Sequence, residues 1–446
     1  MVFIAIAFLA VFLYIRGFKI SALLLFFFFA TSGFNLIPEE ITKFAFISKG
    51  SDYAFLILVG IVFIDNLYNK GYFKRDNFTD YLIAFASFLV ISMLYSKFIV
   101  KLGWGDILRT IRYQFFWVAY FLFRSMSKEK LEMLLKGLFL VSTFTAFLFL
   151  LQIVIDKNIL IKTEVGYVRL FGMKISRFYN QPDMLFFFTF MALYHNPLKG
   201  IPKYASMIIL TAALLGAFHR SLIGCFLISV IIGYAFGLPY LKRIYFTAIS
   251  SILLLFIVIF LGNMFMHSRT YLDIQNVISG TFDPTEFNID NLGGEEGTFT
   301  FRILHLLERN QYLIEHPKAM VLGAGLIPEN SKLVDKMFDF KIGLVEQLTG
   351  AATQIETADI SYSVLFLRLG YVGTFLYLSL IVYLMVFFYK KRENRYSLFS
   401  FLYLILAFGV SFFSANLLNP VTYLLPLISY HIIKKTNPEG QQKTVP

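Results

Sequence analysis

The chain has 446 residues, a net charge of +12, a hydrophobic fraction of 58% and a mean hydropathy of +0.69. Such a composition excludes a soluble multidomain protein, and apolar runs that are continuous rather than alternating favour membrane helices over a barrel. The positive charge does not point to nucleic acid, because Lys and Arg gather in short connections between apolar runs and no basic groove with interleaved aromatics is visible.

A helical crossing takes about 20 residues to span a hydrocarbon core of roughly 30 Å. Candidate spans in chain order are Val2–Ile15, Ile20–Ile37, Tyr53–Leu67, Tyr81–Val100, Ile107–Phe123, Leu131–Ile155, Met184–Tyr194, Tyr204–Phe218, Leu222–Leu238, Ile244–Phe265, Ile360–Tyr389, Leu398–Ser414 and Val421–Ile433. The first resembles a signal peptide but lacks a basic leader and a small-residue cleavage site, so it reads as a short first span. The pattern predicts an all-α bundle of about 12 to 14 spans with one large extracytoplasmic loop. Its expected divisions are N-terminal membrane helices over residues 1–263, the loop with short helices over 264–359, C-terminal membrane helices over 360–433 and a cytoplasmic tail over 434–446.

Alternate connections carry Arg16 and Lys19; Lys70, Lys74 and Arg75; Arg124, Lys128 and Lys130; Lys199 and Lys203; Lys242 and Arg243; and Lys390, Lys391, Arg392 and Arg395. The bias of short basic loops towards the cytoplasm places these inside, with Lys434 and Lys435, and the long loop outside. One outward connection breaks the bias: between Asp156 and Asp183 lie Lys157, Lys162, Arg169, Lys174 and Arg177. Either a longer outer segment escapes the bias, or these cations receive an anion at the outer surface, where the planar fork of Arg suits phosphate. The loop is acidic by contrast, with fourteen acids against seven bases from Arg269 through Asp359.

Gly280, Pro284, Gly293, Gly294 and Gly297 mark an irregular opening to the loop. A helix is predicted over Thr298–Ile314, ended by Pro317 and Gly323-Ala-Gly325, and Lys332–Leu348 reads as a second, amphipathic helix. Arg302, His305 and Arg309 share one face of the first, being three, four and seven residues apart. Charge at membrane depth is costly and marks a polar cavity unless the side chain reaches an interface. Reaching an interface accounts for Arg109 and Arg368, whereas His219-Arg220-Ser221, interrupting apolar sequence, reads as a functional helix junction.

The six His residues are scattered without a carboxylate at ligand spacing, no phosphate-cradling Gly-x4-Gly-Lys-Ser/Thr loop occurs, and Gly323-Ala-Gly325 is too short for a dinucleotide site. No metal and no cofactor are expected. The single cysteine, Cys225, lies in an apolar run and permits no intrachain disulfide.

Taken in order, Arg169-Leu-Phe-Gly172, Arg177-Phe-Tyr-Asn180-Gln-Pro182, His219-Arg220-Ser221, Arg302, Glu315-His316-Pro317, Gly323-Ala-Gly325, Asp359 and Gly370-Tyr-Val-Gly373 resemble the O-antigen polymerase and O-antigen ligase superfamily. The resemblance implies a metal-independent glycosyltransferase with an architecture like that of the GT-C type. It would act on oligosaccharides linked to undecaprenyl diphosphate, at the outer face of a bacterial cytoplasmic membrane. Ligases of this group show a His-Asn pair where this chain has Asp359 and Ile360, and that departure favours a polymerase. The resemblance also implies diphosphate binding by Arg169, Arg177, Arg220 and Arg302, a base among Asp359, Glu356 and His305, and a chain-length regulator as partner. A ligase moving finished polymer onto lipid A-core is the near alternative. A polysaccharide flippase is the alternative from another class, although the internal repeats common in transporters are not evident.

Overall fold

The computed structural model describes residues 2–43, 49–68, 72–163, 165–170, 173–237, 242, 249, 297–340, 342, 354–357 and 359–436, except the side chains of residues 39, 169, 170, 173, 220, 237, 297–300 and 335. The chain is mostly helical. Its elements are α1 (Val2–Ile15), α2 (Lys19–Ala30), α3 (Gly50–Tyr68), α4 (Asn77–Phe98), α5 (Trp104–Ile111), α6 (Ala119–Ser125) and α7 (Lys128–Ile155), then a hairpin of β1 (Val165–Leu170) and β2 (Met173–Phe178). After it come α8 (Leu185–Tyr194), α9 (Ile201–Gly216), α10 (Arg220–Gly237), α11 (Gly297–Glu315), α12 (Pro317–Leu322), α13 (Ser361–Lys390), α14 (Arg395–Val410) and α15 (Val421–Thr436).

Among the described residues four helices, α3, α4, α7 and α13, are long and apolar enough to cross a membrane. Large apolar side chains point outward along them, Phe63, Phe98, Phe144 and Phe375 each being more than half exposed. A surface of that kind suits hydrocarbon and is a liability in water.

Several predicted elements differ from the structure. The span expected over Ile20–Ile37 stops at Ala30, because Ser32, Gly33, Phe34 and Asn35 all take positive φ and turn the chain. The run Ile107–Phe123 is not one helix but α5, a 3-10 turn over Gln114–Val118 and α6; its polar interruption, Arg112, is drawn aside to Asp52 at 2.7 Å. The bundle is not purely α, since the connection between Asp156 and Asp183 folds as the antiparallel hairpin. Of Lys332–Leu348 only Val334–Met337 is helical among the described residues, because Phe338 turns extended to stack on Phe340 against Tyr312. Of the expected span Ile244–Phe265 only residue 249 is described; Gly297 begins α11 and Lys434, Lys435 and Thr436 complete α15, while the rest of the irregular opening of the loop and of the C-terminal tail lies outside the described residues.

The helices run up and down between two ends that contacts define. At one end Lys434 of α15 reaches Asp76 before α4 at 2.8 Å, Lys435 donates to the Arg124 carbonyl at 2.9 Å, Arg124 donates to the Lys74 carbonyl at 2.6 Å, and Lys19 lies 4.0 Å from Asp65. The basic connections at residues 16–19, 74–75, 124–130 and 434–435 thus meet in this basic end. Helix α7 begins here and ends about 40 Å away at 1.5 Å per residue. At that far end Gln152 donates to Asn180 at 2.7 Å, Asn419 donates to Asp183 at 3.1 Å, and Ser361 binds the Ser414 carbonyl at 2.8 Å. Between the ends the core is aromatic, with Trp117 stacked on Tyr423 at 3.9 Å between ring centres.

Candidate functional site

Arg177 reaches the far end because the hairpin is pinned there. Asp156 closes α7 in a left-handed conformation and accepts from Ser176, and the Gln152 side chain both donates to Asn180 and accepts the Ile159 and Leu160 N–H groups at 3.2 Å. The ladder pairs Arg177 with Gly166, where a Cβ would stand 2.9 Å from the Tyr179 hydroxyl, and the Arg177 guanidinium lies 4.8 Å from the Tyr179 ring centre. Arg169 pairs with Lys174 near the hairpin tip, about 10 Å along the ladder at 3.3 Å per residue.

Arg302 is positioned by α11 and by the start of α13. Residues 302, 305 and 309 do share a face, but that face packs on protein rather than water. Arg302 donates to Asp359 at 2.9 Å, His305 Nδ1 lies 2.6 Å from Ser363 Oγ, and Arg309 donates to the Gln354 carbonyl at 2.8 Å. The Asp359 segment is itself anchored, since the Glu329 carboxylate accepts three consecutive backbone N–H groups, from Gln354, Ile355 and Glu356, at 2.6–2.7 Å. Gly323-Ala-Gly325 fixes the other end of this unit. A Cβ on Gly323 would stand 2.3 Å from the Arg368 carbonyl oxygen and one on Gly370 2.6 Å from that of Val321. Both glycines also need positive φ, and Gly370 kinks α13, where the Ala324 N–H takes up the Leu367 carbonyl at 2.7 Å.

Phe218, at positive φ, turns the chain from α9 into α10 and presents His219. His219 Nδ1 accepts the Leu222 N–H at 3.4 Å and lies 3.0 Å from Ser221 Oγ, which caps α10 and puts the proton of a neutral ring on Nε2. Its imidazole is pushed down to about 4, first by burial and then by the charges of Arg177 and Arg302, with Asp359 opposing. His219 therefore stands within electrostatic reach of the hairpin arginine, the α11 arginine and the Asp359 carboxylate together. Arg302 extends over Phe413 at 5.9 Å, and its buried Nε has no hydrogen-bond partner among the described residues. Arg220 follows His219 as the first residue of α10, where the backbone N–H groups of a helix start favour an anion.

The other two base candidates are held elsewhere. Glu356 pairs with Arg368; partial burial opposes its ionisation, but Arg368, Lys49 and Arg112 outweigh that and hold the carboxyl below its usual range. His305 is fully buried, and burial followed by the Arg309 charge pushes it down to about 2, so it stays neutral against Ser363. Among the described residues no group of His, Cys, Asp or Glu could hold a metal ion.

A second polar feature adjoins the arginines. A cavity of about 150 Å³ is bordered by Tyr179 and by Asp183, Asn416, Asn419 and Thr422. The Asp183 N–H donates to Asn35 at 3.1 Å, so this point ties together the ends of α2, α8 and α15. Asp183 is pushed up to about 6 by burial, against the hydrogen bonds of Asn419 and Asn35. Sequence reasoning singled out neither Asp183 nor Glu329. An acid directly before the apolar run of α8 was the available signal for Asp183; Glu329 in a loop gave none. The chain matches no known protein-family model and no curated protein.

Proposed function

We propose that this chain is a polymerase that joins undecaprenyl-diphosphate-linked oligosaccharide units into a surface polysaccharide, at the outer face of a bacterial cytoplasmic membrane. The observation that carries the reading is the Arg302–Asp359 pair at 2.9 Å, between a loop helix and the approach to α13, with the charges of Arg302 and of the hairpin's Arg177 both acting on the His219 imidazole. Two guanidinium groups from distant sequence beside one carboxylate suit a diphosphate ester more than a neutral substrate. The basic end, with its short Lys- and Arg-rich connections, faces the cytoplasm under the charge bias, and the arginine site then faces outward.

In this reading Arg177, Arg302 and Arg220 at the N-terminus of α10 grip the diphosphate of the growing chain, and Arg169 at the hairpin tip meets its outer portion. A hydroxyl of the incoming unit attacks the anomeric carbon, the carbon–oxygen bond to phosphate breaks, and its electron pair leaves on undecaprenyl diphosphate. The arginines neutralise that developing charge. Asp359, already oriented by Arg302, takes the hydroxyl proton, whereas Glu356 and His305 are engaged by Arg368 and Ser363. Because the leaving group is stable, most of the acceleration comes from holding two substrates in line.

The test uses purified full-length chain reconstituted in liposomes, with a synthetic diphosphate-linked repeat unit or, in a parallel arm, diphosphate-linked polymer and lipid A-core, and with no ion gradient. New glycosidic bonds support the reading, and Arg302→Ala lowers their rate about 100- to 1000-fold while the protein stays folded. Lipid translocation without bond formation, transfer of finished polymer to lipid A-core alone, or normal extension by Arg302→Ala each overturns it.

A further inference from the structure

The cavity beside Tyr179 differs from the arginine site in kind. Its border supplies one carboxylate (Asp183), the amides of Gln181, Asn416 and Asn419, and the hydroxyls of Thr422 and two tyrosines, with Phe186 and Ala407 giving it an apolar side. Among the described residues no Lys or Arg borders it. An anion would meet a carboxylate there without a compensating cation, and a lone ion would not fill a space that holds about five waters at ~30 Å³ each. Mixed donors and acceptors around an aromatic side are the complement of a neutral sugar ring, which offers hydroxyls at its rim and C–H groups on its faces. Thr422 already donates to the Asn416 carbonyl at 2.7 Å and Asn419 to Asp183 at 3.1 Å, so the lining is held before any ligand arrives. Tyr179 belongs to both places, bordering the cavity while carrying the Arg177 guanidinium over its ring.

We infer that this cavity is a subsite for one neutral pyranose, with the Asp183 carboxylate accepting a hydrogen bond from a ring hydroxyl and the Asn416 and Asn419 amides fixing its orientation. The inference rests on the polymerase reading for its biological sense, since Tyr179 then places the bound ring beside the diphosphate held by the arginines. It also adds a specificity: uronic acids are rejected by the carboxylate, whereas hexoses and N-acetylhexosamines are accepted.

The experiment measures saturation-transfer NMR on the detergent-purified full chain with a panel of methyl glycosides: glucose, galactose, mannose, N-acetylglucosamine and glucuronic acid. Inorganic diphosphate is titrated separately. At least one neutral glycoside binds the wild type, the glucuronide does not, and Asp183→Asn and Thr422→Val each weaken binding about five-fold or more, the loss of roughly one hydrogen bond. Thr422→Val keeps the side-chain volume, so it reports on the cavity should Asp183→Asn fold poorly. The subsite is overturned by no neutral glycoside binding, by binding that both variants leave unchanged, or by glucuronide binding as well as the neutral sugars. Arg302→Ala separates the two readings: it keeps glycoside binding and weakens inorganic diphosphate. Diphosphate binding unchanged by Arg302→Ala counts against the polymerase reading while the glycoside result stands.

Discussion

At the basic end of the bundle Asp76 is surrounded by its partners: Lys434 at 2.8 Å, Tyr120 at 2.5 Å, Arg124 at 3.8 Å, and Thr79 through both its hydroxyl at 2.7 Å and its N–H at 3.0 Å. At the far end Arg302 has one carboxylate and a buried Nε without a partner among the described residues, and His219 feels two guanidinium charges against one carboxylate. The carboxylate of the first is enclosed by its donors, whereas the arginine of the second keeps one donor unused among the described residues. Burial alone would raise the Asp76 carboxyl, yet Lys434, Tyr120 and Thr79 hold it below the usual range. Charges satisfied in this way lock helix ends together, whereas guanidinium groups acting beside a single carboxylate are where an anion-binding role is sought.

The comparison predicts that substitutions at the two ends separate activity from stability. Arg302→Ala, with its loss of extension, is the largest expected effect on rate. Next comes Glu329→Gln. Removing the charge from an acceptor of three backbone N–H groups loosens residues 354–356 and hence the seat of Asp359. Extension is expected to fall about tenfold, through lost orientation rather than lost chemistry. Unchanged kinetics in that variant would mean that Asp359 needs no such anchor. At the basic end Asp76→Ala leaves Lys434, Tyr120 and the first turn of α4 without their acceptor. It is expected to cost about 3 kcal/mol of stability in a detergent melt, with the rate per folded molecule unchanged.

Sequence alone showed the basic end well, because the bias of Lys and Arg towards alternate short connections is a local signal that survives without coordinates. The same is true of Arg302, His305 and Arg309, whose spacing fixed a common face. What that spacing could not show is where the face looks. Its partners Gln354, Asp359 and Ser363 lie more than 40 residues further along the chain, beyond the close backbone approach that Gly323 and Gly370 permit between α12 and α13. The hairpin was hidden for a related reason. Its strands carry Lys and Arg that read as a charged loop; the ladder shows them paired, and the contacts of Gln152 with Asn180 and of Asp156 with Ser176 show them pinned. Asp183 was hidden because its partners, Asn35 and Asn419, lie far from it in sequence.

Asp183 also offers the finest test of the contrast, because there a charge is kept at a cost. The carboxyl is ordinarily at 3.8 and stands at about 6 in the folded chain, raised chiefly by burial. Between those values the folded state holds a proton that the unfolded state has released, so the contribution of this group to stability falls as pH rises from about 4 to about 6. Above that window the folded chain carries an ionised carboxylate in a place that disfavours it, a penalty on the order of 3 kcal/mol. Asp183→Asn removes the charge and keeps the shape, so it is expected to raise the melting temperature by a few degrees at pH 7.5, with the gain vanishing near pH 4. A gain at pH 7.5 that accompanies weaker glycoside binding would mean that the site end retains this carboxylate for its ligand and not for the fold. A loss of stability at pH 7.5 would instead make Asp183 a structural clasp of the same kind as Asp76, and the difference between the two ends would shrink to the arginines alone.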